Sequence, residues 1–203
     1  LQPAITPRFA VCCTEQLLAG CGELAARTGR IVQTHLSETL DECDLIRRLY
    51  DGASYVEVYR RAGLLTPRTL LGHAIWLTDA DRHVLSQAGS IIAHCPTANL
   101  FLQAGVMDLP AHTRAAVPVS LGSDVAGGPD VCMLRVARAM IEAIKRLRMP
   151  PPAGAGLTDR RLISPAAAWW QITACNAMLG ANLFPEDEFH LAAYLNGQYY
   201  KFK

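Results

Sequence analysis

The sequence has no excess charge of either sign, few aromatic residues and no long apolar run. Its 19 Lys and Arg stand against 18 Asp and Glu, a formal charge of +1 over 203 residues. No polyelectrolyte attraction therefore marks a nucleic acid or an anionic membrane as a partner. No stretch approaches the ~18 consecutive apolar residues that a membrane span needs. The opening LQPAITPRFAVCCTEQ has no basic head followed by an apolar run, so it does not read as a signal peptide. Seven cysteines form an odd set without a CxxC or a repeated frame. That excludes a disulfide scaffold and a Cys-type zinc knuckle as first readings, and points to a reducing, cytoplasmic compartment. Cys12 and Cys13 read as small buried hydrophobes, with no base nearby in sequence.

What is present is a core. Hydrophobic residues make up 51% of the chain, and the length suits one domain with at most a small appendage. Short β-branched runs alternate with segments of helical period, the pattern of βα units on a mostly parallel sheet. Arg30–His35, Thr69–His73, Ser90–His94 and Val117–Asp124 read as strands. Residues 39–50 read as a helix opened by a Thr39/Glu42 capping box, and Thr78 with Asp81 caps another running to about Gln87. A helix is expected from about Asp130 to Arg148, with Pro129 in its first turn and Met133, Ala137, Met140, Ile141, Ile144 and Leu147 on its buried stripe. Residues 149–159, MPPPAGAGLTD, have linker composition. Ser164 and Pro165 open a final helix that ends at Leu179, before Gly180.

The informative pattern is that four successive strands end in His35, His73, His94 and Asp124. A parallel α/β barrel builds its active site from the C-terminal ends of its strands, and imidazole with carboxylate suits a divalent metal such as Zn²⁺. Glu38 lies three residues after His35 and just ahead of a helix, in reach of the same place as a proton carrier. The competing structural reading of Glu38 is a helix-start acid favoured by the dipole. His83, His112 and His190 have no such partners in the pattern, and Arg135, Arg138, Lys145, Arg146 and Arg148 form the solvated face of an amphipathic helix.

The stretches TPRF (6–9), QTHLSE (33–38), LLTPRTLLGHAIWLTD (64–79), IIAHCPTANLFL (91–102) and LGSDVAGGPDVCMLRVARA (121–139) together resemble the guanine deaminases of the amidohydrolase superfamily. The resemblance covers roughly residues 3–180 in order. It implies an α/β fold, the C-terminal part of a (β/α)8 TIM-like metal-dependent hydrolase barrel, over residues 1–180, with 181–203 a divergent tail. It also implies one zinc ion per complete site and the hydrolysis of guanine to xanthine and ammonia. Carried over by position, His35 and Asp124 are the zinc ligands, Asp124 also accepts the proton of the bound water, Glu38 moves protons between water and purine, and His73 contacts water or substrate. Arg8 and Phe9 hold the purine by hydrogen bonding and ring contact. A near-identical TPR at 66–68 shows that only Phe9 and the register single out Arg8. The resemblance also admits a homodimer.

Two features of that family are missing. Its first pair of zinc ligands, an HxH, occurs nowhere in the chain, and the Gly-rich return to a small β-domain is not found between Asn182 and Lys203. Two ligands fall short of the three typical of catalytic zinc. The chain thus reads as a fragment, opening near the end of the barrel's fourth strand, with very little activity by itself. The alternatives are another amidohydrolase, a triazine, pyrimidine or purine deaminase or chlorohydrolase, or a non-catalytic fragment. A cytidine-type zinc deaminase is excluded, because its HxE and PCxxC signature is absent.

Overall fold

The computed structural model describes residues 3–149. The expected linker, the Ser164–Leu179 helix, His190 and the 181–203 tail lie outside the described residues. Leu1–Pro150 form one compact unit, and everything below concerns that unit. Five strands, β1 (Ile5–Arg8), β2 (Val32–Leu36), β3 (Thr69–His73), β4 (Ile91–His94) and β5 (Val119–Leu121), pair in parallel in the order of the sequence. Parallel neighbours need a crossover, and helices supply it. α1 (Glu15–Thr28) joins β1 to β2, α2 (Leu40–Leu49) and α3 (Tyr55–Arg61) join β2 to β3, and α4 (Asp79–Ala88) joins β3 to β4. α5 (Pro96–Phe101) and α6 (Leu109–Arg114) lead to β5, and α7 (Met133–Arg148) follows it.

Local chemistry sets the ends of these helices. Thr39 accepts from the Glu42 amide while the Glu42 carboxylate takes the Thr39 amide, and Thr78 with Asp81 repeats the arrangement at α4. Thr14 and Ser54 cap α1 and α3 through their hydroxyls. The core lies between sheet and helices: Val32, Leu36, Leu71 and Ile92 from the strands meet Leu18, Ile46, Tyr59 and Leu85 from the helices, all fully buried. Each such apolar side chain contributes about 1.5–3 kcal/mol relative to exposure.

Several sequence expectations shift. The strand expected over 117–124 is shortened to Val119–Leu121, so Asp124 stands three residues beyond it. α7 begins at Met133 rather than at Asp130, with Cys132 at its N-cap, and Pro129 precedes the helix. The intervening chain is spent on a turn in which Val125 bridges Gly128 and the Gly128 amide donates to the Asp124 carbonyl. The buried line of α7 runs through Val136 and Ala143, whereas Met133, Ile141 and Leu147 are exposed. α7 packs on α5 and β5, and these contacts rotate the stripe by about one residue. Cys12 is exposed and Cys13 only half-buried, because they sit in and after a short 3-10 turn, Ala10–Cys12, at the sheet's rim. His112, in contrast, is buried with its Nδ1 2.7 Å from the Asp108 carbonyl.

Candidate active site

The strands terminate in unusual backbone. Arg8 (φ 57°), Ser37 (φ 47°), His73 (φ 67°), Ala74 (φ 49°) and Asp124 (φ 47°) all adopt the left-handed region, which costs a non-glycine residue and concentrates at functional sites. All five lie at or just past the C-terminal end of a strand. Each turn redirects the chain sharply out of the sheet and onto its rim, where the sequence pattern places the chemistry.

At the end of β1 and β2, His35 Nδ1 lies 2.8 Å from the Arg8 carbonyl. A backbone carbonyl only accepts, so Nδ1 carries the proton and Nε2 keeps its lone pair. That is the state in which a histidine can ligate a metal while a carbonyl holds its other nitrogen. The Thr34 hydroxyl donates to the same carbonyl at 2.9 Å. Phe9 faces the His35 ring at 6.1 Å between centroids, and the exposed Arg8 guanidinium lies 5.2 Å from the Phe9 ring centre. Arg8, Phe9 and His35 therefore form one cluster.

At the end of β3, the buried His73 ring stacks on His35 with centroids 5.3 Å apart and planes 29° from parallel. Regular register alone would leave His73 on the face of Leu36, its partner, since β2 and β3 pair His35 with Gly72 and Leu36 with His73; the left-handed backbone of His73 turns its ring toward His35 instead. His73 Nε2 is 3.8 Å from Glu38 Oε2, and His73 Nδ1 is 2.8 Å from Asn99 Oδ1. Glu38 is held from behind: Glu42 Oε2 accepts the Glu38 amide at 2.9 Å, extending the capping box by one residue. Arg8, Phe9, His35, Glu38 and His73 thus form a continuous set of contacts.

Asp124 joins from the β5 side. A Cβ built on Gly127 would stand 2.6 Å from Asp124 Oδ2, and one on Gly128 would stand 2.8 Å from Ala98 Cβ on α5. The two glycines let the turn fold back beneath the Asp124 carboxylate and press on α5. Cys95, at the N-cap of α5, is a buried thiol that sequence reasoning missed. Burial first, then the charges of Asp124 and Glu38, push it up to about 11, while the His73 backbone opposes the rise.

His94 is buried, its Nδ1 has no partner among the described residues, and burial lowers its pKa to about 4, aided by His112 and His73. It remains a neutral imidazole beneath the rim. Three tyrosines were also missed. Tyr50 donates to the Ala10 and Cys13 carbonyls, Tyr55 accepts from the Ala10 amide, and Tyr59 accepts from that amide while donating to the His35 carbonyl at 2.7 Å. They clamp the segment after Arg8–Phe9 onto β2. Their spacing on α2 and α3 looks like ordinary core, and only the need of a buried hydroxyl for a partner hints at more.

His35 and Asp124 offer two metal donors. No three His, Cys, Asp or Glu side chains converge to hold a metal among the described residues. The described residues also include no helix long and apolar enough to cross a membrane.

A parallel sheet with crossover helices that gathers imidazoles and carboxylates at its strand ends has the layout of part of an α/β barrel, a fold that builds its sites at those ends. Residues 1–161 match the amidohydrolase family, and the chain belongs to it. It is 46% identical over 127 residues to a probable guanine deaminase of Schizosaccharomyces pombe, covering 62% of this chain and 24% of that protein. It is 37% identical over 143 residues to the guanine deaminase of Dictyostelium discoideum, covering 70% of this chain and 32% of that one. The guanine deaminase structure from C. acetobutylicum, with bound guanine in its active site, superposes with a TM-score of 0.70 at 30% identity, over 83% of this chain and 39% of the other. The chain thus spans less than a third of the length of these two curated relatives.

Proposed function

We propose that this chain carries the purine clamp, the proton carrier and two of the metal ligands of a guanine deaminase, which converts guanine and water to xanthine and ammonia. The observation that carries the reading is the single cluster in which Arg8, Phe9, His35, Glu38 and His73 touch. His35, with Nδ1 tied to the Arg8 carbonyl and Nε2 bare, fits a zinc ligand, and Asp124 over the Gly127 cradle fits a second. A bound zinc supplies the Lewis acidity that makes water nucleophilic near neutral pH.

The protein's own groups do the rest. Arg8 offers a planar fork of donors to the purine carbonyl, and Phe9 offers a ring face. Glu38, half-buried at the mouth of α2, takes a proton from the attacking water and gives it to a ring nitrogen, then takes the remaining proton of the added hydroxyl and hands it to the departing amine. The C–N bond to the exocyclic amine breaks, ammonia leaves, and a carbonyl forms at the same carbon. Six free cysteines among the described residues suit a reducing, cytoplasmic setting.

A chimera tests this. Residues 3–149 replace the matching segment of the C. acetobutylicum enzyme, which supplies the rest of the barrel. Guanine should be its preferred substrate, with one ammonia released per xanthine formed. Preference for a chlorotriazine, a pyrimidine or another purine would overturn the guanine assignment.

A further inference from the structure

The described structure contains a polar contact that the proposed chemistry does not use. Asn99 is 1% exposed, lies on α5 immediately after β4, and places Oδ1 2.8 Å from His73 Nδ1. A buried amide aimed at a site imidazole decides which nitrogen carries the proton. An oxygen facing Nδ1 needs the hydrogen on Nδ1, which strips Nε2 of its hydrogen and leaves a lone pair there. Nε2 is the atom that faces Glu38 Oε2, at 3.8 Å.

We propose that Asn99 is a positioning residue that locks neutral His73 in its Nδ1–H form, so that His73 presents an acceptor, never a donor, to the pocket. Its ring plane is fixed from both sides, by the amide at one edge and by stacking on His35. Because α5 carries Asn99 and also receives the Gly127–Gly128 turn at Ala98, one short helix sets His73 and supports the loop of Asp124. The Asn99 Nδ2 has no partner among the described residues, so the amide's bond to His73 is what orients it within the protein. The use of that acceptor rests on the deaminase reading: it can take a hydrogen bond from a protonated Glu38, from water, or from an N–H of the purine. A donor at Nε2 would instead bond the Glu38 carboxylate and hold the proton carrier in place.

The test needs no turnover. Long-range proton–nitrogen correlation spectra of the whole chain, at alkaline pH where imidazoles are neutral, report the tautomer of each histidine. His73 should show a protonated Nδ1 and a bare Nε2. Asn99→Leu, close in volume but without an acceptor, should release the preference and give exchange between both forms. His112, whose Nδ1 faces the Asp108 carbonyl, should keep its own tautomer in the variant and serves as the check that the fold survives. A wild-type His73 protonated at Nε2 overturns the proposal even if the variant fails to fold. So does an Asn99→Leu variant in which the fold and the His73 Nδ1–H state both persist. Absence of deamination in a chain with the expected tautomer would count against the function alone.

Discussion

The Nδ1 of His35 lies 2.8 Å from the backbone carbonyl of Arg8, so one hydrogen bond across β1 and β2 ties the proposed metal ligand to the proposed purine clamp. Arg8 can make this contact because its backbone turns to φ 57° at the strand's end. The carbonyl turns toward His35 while the side chain stays exposed over Phe9. His35→Ala and Asp124→Ala should each lose zinc and activity together in the chimera. Zinc retained at the wild-type level in either variant would remove that residue from the ligand set.

Arg8 and Phe9 should act on substrate and not on metal. Arg8→Ala removes a charge-assisted hydrogen bond worth about 1.5–3 kcal/mol, which corresponds to roughly a tenfold to hundredfold fall in kcat/KM for guanine. Zinc content should stay unchanged, and steady-state kinetics with metal analysis on the same samples check both.

The two glycines of the GSDVAGG turn should separate by effect. Gly128→Ala drives a methyl against Ala98 Cβ at 2.8 Å and its backbone nitrogen at 3.1 Å, costing about 1–3 kcal/mol of unfolding free energy, measured by urea titration. Gly127→Ala meets the Asp124 carboxylate at 2.6 Å, a side chain that can swing aside. It should weaken zinc binding more than it lowers stability.

His94 gives the fold a pH dependence in the acid range. Its pKa falls from 6.5 to about 4 on burial, and His112 shifts in the same direction, chiefly through burial. Between these values the unfolded chain binds more protons than the folded one, so stability rises with pH through that window. Acidification from 6.5 to about 4 should cost up to about 3 kcal/mol through His94. Urea midpoints across the window should flatten in His94→Gln; an unchanged slope would assign the dependence elsewhere.

Much of this site is legible in the sequence because its parts are local. His35 and Glu38 share one strand-to-helix turn, a capping box marks where that turn ends, and His73 closes a β-branched run. The sequence places Asp124 after an apolar run but does not encode its setting. Its position depends on a glycine turn packing against α5, a contact between distant segments that no local period encodes. Tyr59, Cys95 and Asn99 were invisible for the same reason. Each sits in an ordinary helical or turn context, and its role arises only when β2, β3 and β4 bring their ends side by side. The stripe of α7 was misread by about one residue because its partners α5 and β5, not its own hydrophobicity, choose which face is covered.

The central claim is that Glu38 carries protons at a zinc site to which His35 and Asp124 contribute. The direct measurement compares the chimera with its Glu38→Gln variant, quantifying ammonia release from guanine and bound zinc in the same samples. Full zinc in both, with turnover reduced by roughly 10²–10⁴-fold in the variant, is the expected result. A zinc-loaded chimera that leaves guanine unchanged, or a Glu38→Gln variant that turns over like the parent, would contradict it.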